Sequence, residues 1–433
     1  MGVAEVRAFR GVRFAGALRS AIGSLLAPPY DVSYPHLIGQ LRARHPENMV
    51  HLEHVEPDPG EDPHIHAATL YRDWLRRGIL ARDPNPAYYL YQHGFATGGE
   101  RRVRGGVLAA LRLADWSAGV ILPHEATFPG PCAERLRRLR AVRANLSPIY
   151  LLSRDQDGAL RDLLATLSNG PDLDGCGPDG EEHRLTRIAD PARNRAIERF
   201  FSDRRLYVAD GHHRYQAALA YRNERRDGAA SSAVPGPDGP GAAEYILALV
   251  CPAEDPGVLV LPTHRLIRAL PEFDLAMVRS TLAERFDVTP IAGEPGSVER
   301  LVEQPGVVCL ARFTGEDGVW SIRIRPDTAH EALMPAARSA AWRRLGVAIL
   351  SAAVLEGVLG ITPDRFPAHV LYAHDAREAL ASVGQGAAQA AFLVRGSTVD
   401  ELMAVADAGE TMPPKSTYFW PKVPAGLVIH DLA

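Results

Sequence analysis

The pattern of apolar and polar residues in the first half of the chain alternates between helical and strand spacing. Residues 67–80 and 133–145 repeat apolar positions every three or four residues, which predicts two amphipathic helices. Residues 87–95 and 101–113 are apolar runs, one aromatic and one interrupted by glycines, and they predict two strands. The run 204–210 predicts another strand, and a helical pattern begins directly after it. Helices and strands are therefore interspersed.

The second half of the chain continues this mixture. Residues 244–253 and 257–267 predict buried strands, 341–360 predicts an apolar helix, and 422–432 predicts a final apolar strand. The sequence contains no internal repeat and no coiled-coil pattern. We therefore expect the α+β fold class, with a mixed-sheet core to which a second α/β portion is added.

The length of the chain, 433 residues, exceeds one average domain. Residues 227–243 are rich in Gly, Pro, Ala and Ser and predict a flexible stretch, which suits either a boundary or a surface loop within one domain. We place the predicted division at its end. This gives an N-terminal α+β portion, residues 1–243, and a C-terminal α/β portion, residues 244–433.

Charge and composition narrow the function classes. Lys plus Arg is 48 and Asp plus Glu is 52, so a net charge of -4 gives no reason to expect nucleic acid as the main ligand. No apolar run is long enough to cross a bilayer, and the N-terminus lacks a signal core, so we expect a cytoplasmic protein without a membrane partner. The four cysteines lie far apart without zinc spacing, so we expect them reduced.

Lysine is almost absent from this arginine-rich chain. Lys415 and Lys422 are the only two lysines among the 48 basic Lys and Arg residues. Because lysine is a compact point charge and arginine a planar fork, a lysine kept against this bias is a candidate for a task that arginine cannot perform. The alternative is chance survival in an exposed ion pair.

The strongest local motif follows the strand predicted at 204–210. Asp210 ends that strand, Gly211 permits a sharp turn, and His212, His213 and Arg214 open the next helix. A helix N-terminus with an arginine fork and two imidazoles suits a phosphate group, and the carboxylate could hold Mg²⁺ or accept a proton. The alternative is that Asp210 caps the helix and that the histidines are structural.

A second motif lies in the constrained loop after residue 121. His124 and Glu125 are adjacent and could form a proton-transfer pair, and Thr127 follows them. The helix predicted downstream brings Arg135 near the same region. A solvated turn is an equally good interpretation of this loop.

A third motif, MPPKSTYF, contains Lys415, Ser416 and Thr417. Lys-Ser-Thr is similar to the end of a Walker phosphate-binding loop, but the glycines of that loop are missing, so this is not a P-loop. Its lysine and two hydroxyl groups could still contact a phosphoryl group. We expect all three motifs to share one pocket at the junction of the two portions.

Taken together, these motifs give the chain a family resemblance over nearly its whole length. LAPPYDV, LPHEATFPGP, ANLSPIY, YVADGHHRYQAAL, LPTHR and MPPKSTYFWPKVPAGLVI resemble the pattern of the domain of unknown function 1015 family of uncharacterised bacterial proteins. One position departs from it. Where that family carries a lysine and an aspartate before the arginine, this sequence has Cys132, Ala133 and Glu134, and Glu134 could replace the acid.

The DGHHR motif also resembles that of free-serine kinases in the ParB/sulfiredoxin superfamily. These enzymes transfer the γ-phosphoryl group of a nucleotide to the hydroxyl of L-serine. The resemblance implies a ParB/sulfiredoxin-like core, with Asp210 and an upstream glutamate, best matched by Glu125, beside the acceptor hydroxyl. It also implies that His212, His213 and Arg214 bind phosphate.

We therefore expect a small-molecule kinase, a phosphotransferase of serine metabolism that uses ATP, ADP or another phosphate donor. Glu125 and Asp210 are the predicted catalytic residues, and Asp210 is the predicted Mg²⁺ ligand. Two alternatives are a non-catalytic nucleotide-binding switch of ParB type and a phosphate-ester hydrolase. The predicted phosphate-binding and nucleotide-binding residues are His124, Thr127, Arg135, Gly211, His212, His213, Arg214, Lys415, Ser416 and Thr417.

Overall fold

A computed structural model describes residues 3–30, 35–168, 170–177, 180–228, 241–291, 298–325 and 333–433. Residues 229–240 of the predicted flexible stretch lie outside the described residues. Asp31 and Val32 of the LAPPYDV motif also lie outside them.

The secondary structure is mixed along the whole chain. The strands are β1 (Val6–Arg7), β2 (Val12–Phe14), β3 (Leu80–Arg82), β4 (Tyr88–Thr97), β5 (Glu100–Arg112), β6 (Ile121–Leu122), β7 (Ala144–Asn145), β8 (Ile149–Ser153), β9 (Leu173–Cys176), β10 (Glu182–Ile188), β11 (Leu206–Asp210), β12 (Tyr245–Pro252), β13 (Leu259–Leu261), β14 (His264–Ile267), β15 (Phe286–Ile291), β16 (Val307–Phe313), β17 (Val319–Ile324), β18 (Val370–Ala373), β19 (Ala390–Leu393), β20 (Tyr418–Trp420) and β21 (His430–Asp431). The α-helices are α1 (Ile22–Leu25), α2 (Pro35–Arg44), α3 (Val50–Glu53), α4 (Pro63–Arg76), α5 (Pro129–Val142), α6 (Ala159–Leu167), α7 (Pro191–Phe201), α8 (His212–Gly228), α9 (Leu275–Arg285), α10 (Val298–Val302), α11 (Ala340–Arg343), α12 (Gly346–Ile349), α13 (Phe366–His369), α14 (Ala376–Gly384) and α15 (Val399–Asp407).

The chain divides into two compact units. The first contains Met1–Pro123, Thr127–Leu259 and Pro421–Ala433, and the second contains His124–Ala126 and Val260–Trp420. The strand β12, which follows the division predicted between residues 243 and 244, lies in the first unit because it pairs with β5 on one side and with β8 on the other. The α+β class is confirmed in this general form, and the exact division of portions stays a prediction.

The first unit is built on a nine-stranded mixed sheet in the order β6-β11-β8-β12-β5-β4-β10-β9, with β1 also paired to β5. The pairs β11–β6 and β12–β8 are parallel, and the other pairs are antiparallel. Strands β8 and β12 are buried along nearly their whole length, which explains why they are continuous apolar runs without alternation. Because β11 pairs with the buried strand β8, the position of the end of β11 is fixed.

Helices α5 to α8 contribute to the core of the first unit. Leu139, Leu164, Ile197 and Tyr215, one from each helix, pack in one cluster with alternate residues of β5, β8 and β12. The second unit has a six-stranded antiparallel sheet in the order β15-β17-β16-β19-β14-β18, whose core includes residues of α14, β16 and β19. Each sheet is covered by helices with apolar faces.

The two predicted helices in the first half are confirmed with earlier starts. Helix α4 begins at Pro63, because the carboxylate of Asp62 accepts from the backbone N–H groups of His64 and Ile65, and it ends before Gly78, whose φ is +72°. Helix α5 begins at Pro129. Proline is tolerated in the first turn of a helix, because the N–H group that it lacks would have no acceptor within the helix.

Three predicted elements are wrong in detail. The buried strand expected at 257–267 is two strands, β13 and β14, which belong to different sheets, and β13 is only partly buried. The helix expected at 341–360 is interrupted, and α11 and α12 are followed by a π-helical stretch over Leu350–Glu356. The strand expected at 422–432 contains only β21, because Pro424 has no N–H group to donate and Gly426 has a φ of +96°. Single bridges join Ala425 to Ala27 and Ile429 to Val12.

All four cysteines are free thiols in the structure. Within the described ranges, no helix combines the length and the apolar character needed to cross a membrane.

Substitution of Ile197 tests the core of the first unit. Its side chain in α7 is fully buried, whereas Ile65 in α4 is 54% exposed, so both lie in helices but only one packs in the core. We expect Ile197→Ala to lower the free energy of unfolding by about 2–5 kcal/mol, because it leaves a cavity. Ile65→Ala makes the same residue change in a helix, so its effect on helix propensity is equal to that of Ile197→Ala. We expect it to change the free energy of unfolding by about 0.5 kcal/mol or less. Urea unfolding monitored by circular dichroism measures both, and equal effects would contradict this core assignment.

Candidate functional site

A sharp turn joins β11 to α8 in the first unit. Asp210 is the last residue of β11 and His212 the first residue of α8. Between them, Gly211 has a φ of +97°, and a Cβ atom at this position would lie 2.8 Å from Cγ2 of Ile149. Only glycine combines this conformation with this close approach, so the sequence motif fixes the direction in which α8 begins.

The carboxylate of Asp210 is bound by two cationic side chains. The Lys422 ammonium donates to its Oδ1 atom, and the Arg214 guanidinium donates to Oδ2 at 2.6 Å. The other terminal nitrogen of Arg214 donates to the carbonyl of Pro148 at 2.5 Å. Burial alone would raise the pKa of Asp210, but the charges of Lys422 and Arg214 outweigh it and hold that pKa well below its usual range.

Both oxygens of Asp210 accept from charged side chains, so its carboxylate does more than the helix cap of the alternative interpretation would. Sequence reasoning did not include Lys422 among the site residues. The signal that could have found it was the scarcity of lysine, which leaves Lys422 as one of only two in the chain.

The two histidines of the motif have different surroundings. His212 is 4% exposed, and its charge contributes to the low pKa of Asp210. His213 accepts a hydrogen bond at Nε2 from the backbone N–H of Phe128 at 3.1 Å, and the two rings stack with their centres 6.1 Å apart. Because Phe128 precedes α5, His213 connects the start of α8 to the start of α5.

A cavity of about 60 Å³ lies beside Arg214 in the first unit. The ring of Tyr30 lies 4.1 Å from the guanidinium carbon of Arg135 and 5.1 Å from that of Arg138, so it stacks against both cations. Space of this size holds about four water molecules or one small polar group. The polar residues in its wall are Tyr30, Glu53, Arg135, Arg138, Asn145, Ser147 and Arg214.

Glu53, the last residue of α3, is a buried acid in the wall of this cavity. Its side chain is 4% exposed, its Oε2 atom lies 3.8 Å from a terminal nitrogen of Arg138, and its Oε1 atom has no hydrogen-bond partner among the described residues. A buried carboxylate oxygen without a donor is costly, so the cavity favours a ligand that brings an N–H or O–H group. Sequence reasoning missed Glu53, because no motif surrounds it.

The residues at the start of α5 contribute less directly. The Thr127 side chain is hydrogen-bonded to Cys132, and burial raises the pKa of that thiol despite this bond. Glu134 pairs with Arg137 at 2.7 Å and lies 3.3 Å from the ring of His64. Its predicted replacement of the family aspartate stays a prediction.

In the second unit, two of the three motifs are in contact. The buried ring of His124 is hydrogen-bonded through Nε2 to the hydroxyl of Thr417 at 2.8 Å, although the residues are far apart in sequence. The carbonyl of His124 accepts from the backbone N–H of Met412 at 2.8 Å. The solvated-turn interpretation of His124 is therefore wrong.

The neighbours of this contact are also defined. The Glu125 carboxylate accepts at Oε1 from the backbone N–H of Lys415 at 3.2 Å, where the φ of Lys415 is +57°. Ser416 is buried, and its hydroxyl donates to the carbonyl of Pro413 at 2.6 Å, which closes the turn. Phosphate binding by Ser416 would require this bond to be given up. That all three motifs share one pocket stays a prediction.

The residues around Asp210 do not fit the predicted Mg²⁺ ion. Magnesium is bound by carboxylate, phosphate and water oxygens, whereas both oxygens of Asp210 already accept from Lys422 and Arg214. Two positive charges at this distance oppose a divalent cation. The arrangement suits an anion instead, because Lys422, Arg214 and the N-terminus of α8 all attract negative charge.

The low pKa of Asp210 predicts a pH-dependent contribution to stability. Because its folded pKa lies below the unfolded value of about 3.9, the ionised group stabilises the fold above that pH, and this contribution is lost as the pH falls toward the folded pKa. We expect Asp210→Asn to lower the free energy of unfolding by about 3 kcal/mol at pH 7. The difference should persist to about pH 5 and shrink below about pH 4.

Urea unfolding of both proteins at pH 7, 5 and 3 measures this difference. The control is Asp203→Asn in the same unit, because Asp203 is 78% exposed and lies 3.3 Å from Arg204 on the surface. A surface pair contributes little, so we expect a change of about 0.5 kcal/mol or less at every pH. An Asp210→Asn difference that is unchanged at pH 3 would contradict the assigned ion pairs.

Several solved structures are similar to this chain at low identity. A conserved hypothetical protein from Pyrococcus furiosus is 14% identical, with 74% of this chain and 93% of that chain covered and a TM-score of 0.36. A free serine kinase in complex with AMP is 12% identical, with 72% and 86% covered and a TM-score of 0.36. SbnI with C-terminal truncation from Staphylococcus aureus is 11% identical, with 73% and 84% covered and a TM-score of 0.34.

These low identities and TM-scores support no conclusion about the chemistry of this chain. Its function is therefore inferred from its own residues. Among curated proteins, no sequence matches it. The pattern of one family does match, over residues 6–348, and it includes the LPHEATFPGP and DGHHR motifs described above. The resemblance seen in the sequence is confirmed: this chain belongs to the family described as "Protein of unknown function (DUF1015)".

Proposed function

We propose that this chain is a phosphotransferase that moves a phosphoryl group from a nucleotide, or another phosphate donor, to the hydroxyl of a small molecule, with L-serine as the acceptor. One observation carries the proposal. The ionised carboxylate of Asp210 is bound by Lys422 and Arg214 at the start of α8, and Arg214 also lines a polar cavity. Phosphoryl transfer needs charge neutralisation and alignment more than covalent chemistry, and this arrangement offers both.

The donor phosphates bind at the turn between β11 and α8. The N-terminus of α8 is the positive end of the helix dipole, and Lys422 and Arg214 add two positive charges. As these cations turn toward phosphate oxygens, their hold on Asp210 weakens. The turn motif is also why the proposal includes a ParB/sulfiredoxin-like core for the first unit, in line with the resemblance of DGHHR.

The acceptor binds in the cavity. Its wall suits a ligand with both an anionic group beside the guanidinium groups and a donor for Oε1 of Glu53, and an α-amino acid carries both. The carboxylate of L-serine would meet Arg135, and its ammonium group would meet Glu53. The sequence analysis predicted that Arg135 binds phosphate, whereas here it binds a carboxylate. Phosphate and carboxylate are both oxyanions that a guanidinium group binds through two parallel hydrogen bonds.

The transfer step then follows from these positions. The hydroxyl oxygen of the acceptor attacks phosphorus and forms a new P–O bond. The bond between phosphorus and the donor oxygen breaks, and the donor leaves with its electron pair. Asp210 orients the hydroxyl group and accepts its proton late in the step, because a carboxylate of low pKa is a weak base. Lys422 and Arg214 neutralise the charge that develops on the phosphoryl oxygens. No step uses Mg²⁺ at Asp210.

Binding measurements separate the two sites. We expect Arg135→Gln to weaken L-serine binding about tenfold and to leave pyrophosphate binding unchanged, because one charge-assisted contact is lost only in the cavity. Arg137→Gln is the matched control on the same helix, since Arg137 is 62% exposed and pairs with Glu134. Isothermal titration calorimetry measures each ligand alone. Weakened pyrophosphate binding by Arg135→Gln would return Arg135 to the donor site that the sequence predicts.

Turnover assays test the reaction and the predicted role of Glu125. The protein is incubated with ATP, ADP or pyrophosphate and a panel of hydroxyl compounds that includes L-serine. We expect phosphoserine. A loss of at least about 100-fold in the rate of Glu125→Gln would assign the acceptor proton to Glu125 in place of Asp210. The control is Glu316→Gln in the second unit, where the carboxylate contacts Arg279 and Trp320.

Two other results would replace the kinase proposal. Nucleotide binding without turnover supports the ParB-type switch, because the anion site would then act only in binding. Release of phosphate without an acceptor supports the phosphate-ester hydrolase. An unchanged rate in Glu125→Gln would leave Asp210 as the one catalytic acid of the two that were predicted.

A further inference from the structure

A buried chain of hydrogen bonds in the first unit reaches the peptide group that precedes Lys422. Arg104 in β5 donates through one terminal nitrogen to the carbonyl of Pro421 at 2.8 Å and through the other to Nδ1 of His93 at 3.1 Å. His93 in β4 contacts the Glu181 carboxylate through Nε2 at 2.8 Å. Arg104 is 1% exposed and His93 is fully buried, so the hydrogen bonds of Arg104 form away from water.

The hydrogen positions in this chain follow from the guanidinium group. Arginine can only donate, so Nδ1 of His93 is an acceptor and carries no hydrogen. A neutral imidazole then carries its hydrogen on Nε2, from which it donates to Glu181. The neutral imidazole ring of His93, in one fixed tautomer, therefore links the Glu181 carboxylate to the Arg104 guanidinium group through two hydrogen bonds.

The same residues could otherwise be taken for a metal site. His93, Glu181 and His183 offer ligand atoms within 4.8 Å of one another, the one such group found in the described part of the chain. A histidine that binds a metal through one nitrogen normally donates the hydrogen on its other nitrogen to an acceptor. Arg104 faces that other nitrogen of His93 and cannot accept. The cluster is therefore built to hold a proton and not a cation.

The position of Arg104 is fixed by what surrounds its charge. The ring centre of Tyr150 lies 4.8 Å from the guanidinium carbon, which adds a cation–π contact to the two hydrogen bonds. A buried charge is tolerated only where such partners are in place, so a displacement of Arg104 would be costly. The carbonyl of Pro421 is consequently held at a defined point, and this carbonyl belongs to the peptide group that also contains the backbone nitrogen of Lys422.

We infer that Arg104 is a positioning residue that places Lys422 against Asp210, and that His93 and Glu181 hold Arg104 in the orientation that does so. Arg104 contacts the backbone of Pro421 and acts through it on Lys422. The inference rests on the proposed function only for the task of Lys422 as a phosphate-binding cation. The location of Lys422 can be measured without any substrate.

Amine labelling measures this location directly, because the chain has only two lysines. The folded full-length protein is treated briefly with acetic anhydride, and the acetylation rates of the peptides that contain Lys415 and Lys422 are compared by mass spectrometry. Lys415 is exposed and serves as the internal reference, whereas the Lys422 side chain is 16% exposed and bound to Asp210. We expect Lys422 to react at least about tenfold more slowly than Lys415. Asp210→Asn, which removes its partner, should raise the Lys422 rate.

Arg104→Lys is the first test variant, because lysine keeps the charge but cannot bridge two acceptors as the planar fork does. We expect the rate ratio of Lys422 to Lys415 to rise about tenfold. The labelling assay counts the lysine introduced at position 104 separately, since its peptide differs. Arg222→Lys is the matched control, because Arg222 is 3% exposed and donates to the carbonyl of Leu113 without contact to this chain of bonds. We expect it to leave the ratio unchanged.

Conservative replacement separates positioning from general stability. In His93→Gln the amide oxygen can accept from Arg104 and the amide nitrogen can donate to Glu181, so we expect a ratio within about twofold of the parent. His93→Leu removes both bonds and should raise the ratio about tenfold. If Arg104→Lys does not fold, Glu181→Gln replaces it, because Glu181 is partly exposed and the change is milder; an increase of about threefold is expected.

Two results would overturn the inference. One is an unchanged ratio in a folded Arg104→Lys or Glu181→Gln variant, which would show that Lys422 is placed without this chain of bonds. The other is tight binding of Zn²⁺ by the parent protein that His93→Leu abolishes, since that would contradict the assigned proton. Absence of phosphotransfer would leave both measurements as they are, so failure of the proposed function and failure of this inference are distinguishable.

Discussion

The ion pairs of Asp210 are the interaction on which the candidate site depends. One carboxylate connects the end of β11, the first turn of α8 and the segment that re-enters the first unit at Pro421. Burial disfavours the ionised form of this carboxylate, and the two neighbouring cations favour it more strongly. The same two cations make the turn attractive to a phosphate oxyanion. Structural stability and the proposed anion binding therefore depend on one set of charges, and a ligand that binds the cations must compete with the carboxylate.

Much of the local structure could be predicted because local physics decides it. The apolar runs of β4, β5 and β12 were visible as strands, since buried strands need continuous apolar sequence. Gly211 was predicted at a sharp turn, and its left-handed conformation follows from residue type. The broken helix at 341–360 and the irregular segment at 422–432 were not predicted. There, tertiary contacts and single glycine or proline residues override the apolar pattern.

The candidate site was only partly predictable, because its partners come from distant parts of the sequence. His124 and Thr417, which are in contact, each belong to a motif that the sequence singled out, although their contact was not predicted. Glu53 and Arg104 lie in no motif, and Lys422 lies in one that predicted no role for it. Each gains its significance from burial beside a residue far along the chain. Composition gave one indication, the scarcity of lysine, but it led the prediction to Lys415 and not to Lys422. Burial and hydrogen-bond partners, which a single sequence does not contain, separate the two.

The late return of the chain to the first unit has a consequence for biosynthesis. A ribosome makes Asp210 long before Lys422, which is 212 positions further on, and the whole of the segment Val260–Trp420 is translated between them. A nascent chain that stops within this interval has the DGHHR turn but not its ammonium partner. The emerging protein thus carries the DGHHR turn with one of its two cations missing, and that cation emerges only after the second unit has left the ribosome.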